Sequence, residues 1–420
     1  MSKISVRSPV VAGFLAAIVA ALVVGVFLGN WAERRREEQS REQRVRTGIP
    51  ATRRDSSEFT EGSWGLVRYW KSMQEMPPEL VQLHGPPGTA TEWYFGQRTP
   101  AEITQALIQC GMQEKLAADL SALAEPWPHG GYVLKPSDAQ VLALTPGVRE
   151  KLYALLQGWP QNAGNVAPIR YEKAGTHDWL YSAQLSPRIA STVQHLIYRH
   201  NNLELFTDFD LVMRQITNPG EAREFLRVMT RQTTIMACLI VRPNDDLDAL
   251  TRYWGCGGRE GEVRPLLELA RMSDGRTDVP LNLLLPRFAR DHIYRYRLPT
   301  DPGGINCHYS SMNFFNENAD TNYTSLAACS RDIDNNYFTV TNSLQFGDVL
   351  LFMRDGHQVL HSCNVITTGL VFTKNGNSIG QPWIIADLAD LKAYYELDGP
   401  LAIRAIRRRE VPQPPTITSN

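Results

Sequence analysis

The longest uninterrupted apolar stretch of the chain lies close to its N-terminus. Residues 9–29 read PVVAGFLAAIVAALVVGVFLG and contain no charged side chain. About 20 such residues in a helix span the hydrocarbon core of a bilayer. A secretory signal peptide normally has a shorter apolar region and a small-residue cleavage site. The pattern therefore predicts an uncleaved transmembrane anchor over residues 1–30, with the lipid bilayer as its partner along residues 9–29.

The segment after this run is strongly polar. Residues 31–62 mix positive and negative side chains and carry almost no apolar residues, which is typical of a charged stalk or linker. Arginines are more frequent after the apolar run than before it, so the positive-inside rule favours a cytoplasmic body. Large domains can be translocated regardless of such charges. The sequence therefore leaves open on which side of the membrane the body lies.

Between residues 63 and 290, apolar residues recur mainly at helical spacing, in segments separated by Pro and Gly. The clearest segment is TPGVREKLYALLQG at residues 145–158, in which Thr145 is a good N-cap, Pro146 fits the first turn and Gly158 ends the helix. We predict a mostly helical middle domain over residues 63–290. The other predicted helices cover residues 100–124, 187–200, 218–241, 245–255 and 280–297, and short strands are predicted at 132–136 and 178–183.

After residue 298 the pattern changes to short apolar strands separated by turns. A helix is predicted over residues 307–315, followed by the strands VLLFM, VLHSCNVI and LVFTKN, which are joined by RDGHQ and ITTG. The expected arrangement is a helix packed on an antiparallel meander, in a domain over residues 291–411 with a tail at 412–420. The fold class is thus α+β, with a transmembrane helix, a mostly helical middle domain and this C-terminal domain.

Strand alternation predicts which face of the meander the helix covers. Side chains alternate between the two faces of a strand, so Val359, His361, Cys363 and Val365 share one face. Because this face is largely apolar, we expect the helix that begins at Cys307 to pack against it.

Composition excludes some classes of protein and partner. The 420 residues are 43% hydrophobic and can bury a large core, and 43 basic side chains nearly balance 44 acidic ones. This balance gives no indication of a nucleic-acid partner. The six cysteines contain no CxxC pair, so neither a disulfide scaffold nor a zinc ribbon is predicted.

Cys307 and His361 are the candidate reactive residues. A thiol at the start of a helix feels the positive end of the helix dipole, and the thiolate is the nucleophilic form. An imidazole on a neighbouring strand is able to take the thiol proton. The stretches that carry these residues, INCHYSSMNFFN at 305–316 and GDVLLFMRDGHQVLHSCNVITTGLVFTKNG at 347–376, therefore predict a cysteine nucleophile and its base.

These two stretches resemble the NlpC-type papain-like cysteine peptidases and amidases. The matching features, over about 120 C-terminal residues, are a Cys at a helix start, a Gly-Asp turn at 347–348, His361 on the next strand and a polar residue on the strand after it. NCHYSSMNFF, and VFTKNG followed by PWII, are similar to a poorly characterised bacterial set of such domains. The sequence departs from the family pattern at Asn306, where Asp is usual, and at His308, where Ser is usual.

The resemblance implies a function and a set of roles. Cys307 would be the nucleophile and His361 the base, with Asn375 as the polar residue that orients the imidazole and Lys374 as the second choice. Tyr296 would help to line the oxyanion site, and His308 is a candidate for contacting the substrate. The implied protein is a single-pass hydrolase of the bacterial cytoplasmic membrane that acts on a peptide or amide, such as a cell-wall stem peptide. It would need no metal and no organic cofactor.

Three other interpretations use the same residues. Cys307 and His361 can be ordinary buried residues, because free cysteine behaves as a small hydrophobe. Cys307, His308, His361 and Cys363 are also zinc-ligand types, although neighbouring residues on a helix diverge. The third is a non-catalytic, membrane-tethered interaction or scaffold protein with a hydrolase-like domain, which the large middle region without chemistry of its own favours. A cleft that is open to solvent beside the Cys-His pair favours the enzyme, and a closed one favours the scaffold.

Overall fold

The structure is a computed structural model, and it describes residues 57–409 except 82–89, 167, 173–179, 181–182, 202, 273–276 and 342. The described residues form an α+β fold with strands and helices alternating along the chain. The strands are β1 (Glu58–Gly62), β2 (Gly65–Gln74), β3 (Trp93–Tyr94), β4 (Glu125–Pro126), β5 (Tyr132–Leu134), β6 (Ile169–Glu172), β7 (Tyr198–His200), β8 (Leu203–Phe206), β9 (Gln232–Val241), β10 (Thr277–Pro280), β11 (Tyr337–Thr339), β12 (Val349–Arg354), β13 (Gln358–Val365), β14 (Leu370–Lys374), β15 (Trp383–Asp387) and β16 (Ala402–Arg408).

The helices are mostly short, and several begin at a Ser, Thr, Asp or Asn that caps the first turn. They are α1 (Pro100–Gln109), α2 (Glu114–Ser121), α3 (Asp138–Leu142), α4 (Pro146–Leu156), α5 (Ala163–Val166), α6 (Pro187–Leu196), α7 (Phe209–Gln215), α8 (Pro219–Met229), α9 (Leu247–Trp254), α10 (Glu260–Met272), α11 (Leu281–Leu284), α12 (Arg287–His292), α13 (Cys307–Asn313), α14 (Leu326–Asn336) and α15 (Leu388–Tyr395). Single 3₁₀ turns occur at Pro78–Leu80, Thr321–Thr324 and Glu396–Asp398.

The first sheet has the antiparallel order β1-β2-β9-β10. Its two central strands are far apart in sequence, yet Gln74 at the end of β2 is the register partner of Gln232 at the start of β9. The chain between these two residues therefore forms an insertion that leaves the sheet and returns to the same place.

The insertion has its own hydrophobic core. This core contains α1, α4, α6 and α8, and two small sheets with the orders β3-β5-β4 and β6-β8-β7. Helix α1 begins with a capping box between Thr99 and Glu102, and Pro100 occupies its first turn. Arg149 is completely buried in this part of the chain, where it pairs with Asp208 and donates to two backbone carbonyls.

The C-terminal sheet has the order β11-β16-β12-β13-β14-β15, and all of its pairs are antiparallel. Helix α13 covers one face, and α15 covers the other through Leu391. The core under α13 continues into the first sheet, since one cluster includes Val67, Leu239, Trp254, Phe372 and Trp383. A single core thus extends across residue 290.

The predicted fold class is wrong as a whole. Among the described residues, no helix is both long and apolar enough to cross a bilayer. The run at 9–29 for which a span was predicted lies outside these residues, as do the stalk up to residue 56 and the tail at 412–420. The middle region is not mostly helical either, because strands β2 to β10 all lie within it. Only the α+β character and the helix with its three-strand meander agree with the prediction.

Two long helices predicted from sequence are divided by residues that cannot continue them. Helix 218–241 ends at Met229, and Gln232–Val241 is a central strand, because Thr233, Thr234 and Ile235 are β-branched and fit a strand better than a helix. Helix 100–124 breaks at Gly111, which has a φ of 92°. By contrast, the helix predicted over 145–158 is confirmed as α4, with Thr145 as its N-cap.

Asp348, in the turn before β12, forms a buried ion pair from which a stability prediction follows. Its side chain is 1% exposed and accepts hydrogen bonds from Nε and Nη2 of Arg407 at 2.6 and 2.8 Å. We expect Arg407→Met to lower the free energy of unfolding by about 3 kcal/mol, because it leaves a buried carboxylate without its cation. Arg404→Met, at an exposed position of the same strand, is the matched control. Urea denaturation of both variants measures the difference, and equal effects would contradict the prediction.

Candidate functional site

Cys307 is the first residue of α13, as the sequence predicted. Asn306 caps this helix by accepting a hydrogen bond from the Tyr309 backbone N–H at 3.0 Å. Three residues before Cys307, Gly304 has a φ of 82°, a backbone conformation that glycine adopts without strain. The Cys307 side chain is 5% exposed.

Two hydrogen bonds fix the first turn of α13 to the sheet. Nδ1 of His308 lies 2.9 Å from Oγ of Ser362 on β13. The indole Nε1 of Trp383, on β15, donates to Oγ of Ser310 at 2.8 Å. A third bond, from the Asn364 amide to the Ser311 carbonyl, continues the contact along β13. The start of α13 therefore bridges β13 and β15 above the strand between them, β14.

His361 lies on the other face of β13, and the predicted packing face of α13 is wrong. Ser362 and Asn364 contact the helix, whereas His361 points toward α15, where its ring stacks on Tyr395 with centroids 4.3 Å apart. A register shift in the β12–β13 pair places one extra residue between Val359 and His361. The polar side chains of Ser362 and Asn364 are tolerated on the face under α13 because both make hydrogen bonds to the helix.

The His361 imidazole is oriented by a neighbour that sequence reasoning missed. Nε2 of His361 lies 2.8 Å from Oγ1 of Thr373 on β14, and the ring is completely buried. Nδ1 is also buried, and it has no hydrogen-bond partner among the described residues. An imidazole that donates from Nε2 to Thr373 carries its lone pair at Nδ1. This nitrogen is therefore the free acceptor of the site.

The Cys307 thiol is electrostatically coupled to groups on both faces of the sheet. Burial raises the pKa of Cys307, while the backbone N–H groups of Ser362, His308 and Cys307 itself, and the charge of Lys374, act in the opposite direction. Burial raises the pKa of Tyr395, the residue stacked on His361, and of Cys363, and Cys307 raises both further. The sulfur is thus close to the surroundings of His361, although the body of its helix lies on the opposite face.

The pKa shifts of His361 and Cys307 favour the uncharged form of both side chains at neutral pH. Burial and the nearby His308 lower the pKa of His361 well below its usual value, and burial also lowers the pKa of His308. With a thiol of raised pKa beside it, the site holds a neutral acid and a neutral base. A preformed thiolate–imidazolium pair is therefore disfavoured here.

Lys374 occupies the helix-covered face beside this pair. Its side chain is completely buried, and Nζ donates to the carbonyls of Gly376 at 3.1 Å and Ser378 at 2.9 Å, over the Trp383 ring. Burial, and secondarily repulsion by Arg297, lowers the pKa of Lys374 to about 7. Lys374 is thus a buried amine that changes charge near neutral pH.

The other predicted site residues have different contacts. Oδ1 of Asn375 pairs with the Tyr395 hydroxyl at 3.5 Å, so Thr373 takes the position beside His361 that the sequence assigned to Asn375. Tyr296 is buried, and its hydroxyl donates to the carbonyls of Gln74 and Thr230 at the base of the insertion. The structure thus brings His308 and Lys374 to the face that α13 covers and His361 to the other face, while the Cys307 sulfur interacts with groups on both faces. Tyr296 lies in a separate cluster.

The site is closed to solvent. Cys307 is 5% exposed and His361 0%. A cavity of about 70 Å³ lies nearby, lined by Asn375, Ile385 and Tyr394 together with Arg170 and Thr234. Within the described part of the chain, no group of three or more His, Cys, Asp or Glu side chains is arranged to hold a metal ion.

Comparison with models of protein families, with curated proteins and with solved structures gave no match to this chain.

Proposed function

We propose that the chain is a cysteine hydrolase in which Cys307 attacks an amide and His361, held by Thr373, carries the proton. The observation that supports this most directly is the state of the His361 ring. Its Nε2 is fixed by Thr373 and its buried Nδ1 is left without a partner. A buried polar atom without a hydrogen bond costs free energy, so its retention is explained by a proton-accepting role.

The reaction follows the usual course of nucleophilic catalysis. The thiol proton of Cys307 moves to Nδ1 of His361 while Sγ bonds to the amide carbon, and the carbonyl π electrons move to oxygen. When the C–N bond breaks, the leaving amine takes the proton from His361 and a thioester remains. Water then cleaves the C–S bond, giving its proton through His361 to the thiolate. By the family resemblance, the substrate is a peptide amide such as a cell-wall stem peptide.

Burial of the reacting groups sets a requirement for this reaction. The substrate reaches Cys307 only if the groups that cover the thiol move, because the residue is 5% exposed. The neutral state of thiol and imidazole is consistent with a resting form that gains its nucleophile when substrate binds.

A second candidate function is a non-catalytic interaction protein that retains a hydrolase-like domain. The closed site favours it, since a purely structural role leaves Cys307 and His361 as buried core residues. The absence of a charged base in the resting state is also expected under this alternative.

The rate of thiol alkylation separates the two candidates. All six cysteines are free, and Cys238 and Cys256 are more exposed than Cys307. If Cys307 gains its nucleophilic form when substrate binds, an iodoacetamide-type probe near neutral pH should modify it faster than those two thiols once soluble cell-wall peptides are added, despite its burial. Peptide mapping by mass spectrometry measures the rate at each site.

The controls use the same chain. Cys307→Ala should remove the fast labelling, and Cys238→Ala should leave it unchanged. The same variants incubated with soluble cell-wall peptides test hydrolysis, which is read as new amine and carboxyl products. If Cys307 reacts more slowly than Cys238 and no peptide is cleaved, the enzyme proposal fails and the interaction protein remains.

A further inference from the structure

Lys374 is placed by the sheet directly under the first turn of α13. Strand β14 lies between β13 and β15, and α13 is bonded to both of these outer strands, through Ser362 and Trp383. Lys374 is the register partner of Trp383 and lies over its ring, so it projects to the face that the helix covers. The turn above it is the one that begins with Cys307.

The hydrogen bonds that Lys374 makes with the described residues include no anion that would compensate its charge. Both bonds of Nζ go to neutral backbone carbonyls, and the charged group that acts most strongly on it is Arg297, which repels it. Cys307 is the group that favours the ammonium form. A buried charge normally has a partner of opposite sign.

The other groups around the thiol cannot supply a cation at neutral pH. His308 of the same helix is buried, with a lowered pKa. Cys363 on β13, Cys329 on α14 and Tyr395 on α15 are neutral or become negative when they ionise. Among the described side chains that interact with the thiol, Lys374 is the one able to balance a negative charge on the sulfur.

We propose that the Lys374 ammonium is the counter-ion of the Cys307 thiolate. Its part in catalysis rests on the proposed function: Lys374 keeps its own protons while the thiol proton moves to His361, and its charge stabilises the sulfur anion that results. A counter-ion role explains why a lysine is buried at this position, since an apolar residue there would cost less free energy on folding.

The first test is a pH titration of thiolate absorbance in the far ultraviolet. Each protein is measured as the difference from the same protein with Cys307→Ala, so that the other thiols cancel. Below about pH 7, where Lys374 carries its charge, Lys374→Met should reduce the thiolate fraction of Cys307 by about tenfold or more, since a nearby opposite charge shifts a pKa by one unit or more. Lys392→Met, at a lysine of α15 that pairs with Glu396, is the matched control and should have no effect.

The second test keeps the lysine in place, in case Lys374→Met does not fold. The pKa of Lys374, followed by NMR of lysine labelled with carbon-13, should be about one unit or more higher in Cys307→Asp than in Cys307→Ala, because the carboxylate keeps a negative charge at position 307 while Lys374 titrates. If neither titration changes, the counter-ion proposal is overturned.

The two proposals can fail separately. Neither titration needs a substrate, so coupling between Cys307 and Lys374 in a chain that cleaves no amide supports the counter-ion and counts against the hydrolase. Hydrolysis that depends on Cys307, in a chain whose Cys307 and Lys374 titrate independently, supports the hydrolase and counts against the counter-ion.

Discussion

Thr373→Val is expected to lower kcat/KM for amide hydrolysis by about a hundredfold. Valine has nearly the shape of threonine but cannot accept the proton of His361 Nε2, so the imidazole loses the bond that fixes its tautomer. Asn375→Ala should leave kcat/KM nearly unchanged, because Asn375 contacts Tyr395 and not the ring. Steady-state kinetics on a peptide that the wild-type chain cleaves gives both values.

The same pair of variants also tests the sequence-based assignment. If Asn375→Ala is the damaging change and Thr373→Val is silent, the orienting residue is the one the family resemblance indicated. Thermal unfolding of both variants shows whether lost activity reflects lost stability.

The second large effect concerns stability and pH. The pKa of Lys374 is lowered from 10.5 to about 7 in the folded state. Between these two values the unfolded chain binds more protons than the native one, so the free energy of unfolding rises with pH. Wild type should therefore gain stability relative to Lys374→Met as pH rises through this window, with a slope of up to about 1.4 kcal/mol per pH unit. Below the window, the charged lysine is buried at full cost and the methionine variant should be the more stable.

Urea denaturation at several pH values measures this difference. The comparison is made in a Cys307→Ala background, so that the lysine is the group that distinguishes the two proteins. A difference that is constant across the window would mean that Lys374 keeps its charge in the folded state.

The elements of the site were predictable from sequence, but their arrangement was not. The predicted helix start at Cys307 and the predicted strand through His361 are both confirmed. Which face the helix covers depends on its partners, and here Ser362 and Asn364 bond to it. The helix was expected on the largely apolar face of the strand, whereas the face with Ser362 and Asn364 is the one packed under it.

Thr373 could have been found with one further step. In LVFTKN, alternation places Thr373 opposite to Lys374, and a threonine in a wholly buried strand needs a hydrogen-bond partner. The register of β13 with β14, which pairs Asn364 with Phe372, decides that the partner is His361. This register depends on the turn between the strands, and no local pattern specifies it.

The middle region was misjudged because two kinds of segment share the same apolar content. The stretch QTTIMACLIV has enough hydrophobic residues for a buried helix, and only its β-branched residues indicate a strand. Its partner, β2, follows a segment that was predicted to be a stalk, although β1 already begins at Glu58.

The pairing of Gln74 with Gln232 has a consequence for how the polypeptide acquires its fold. The two central strands of the first sheet meet only after the whole intervening chain has been brought back on itself, and closing so long a loop is slow while that chain is extended. Since the intervening chain has a core of its own, its early collapse would bring the two ends together. We expect it to act as a folding nucleus, and a short turn grafted between Gln74 and Gln232 should leave a simple hairpin whose strands find each other much faster.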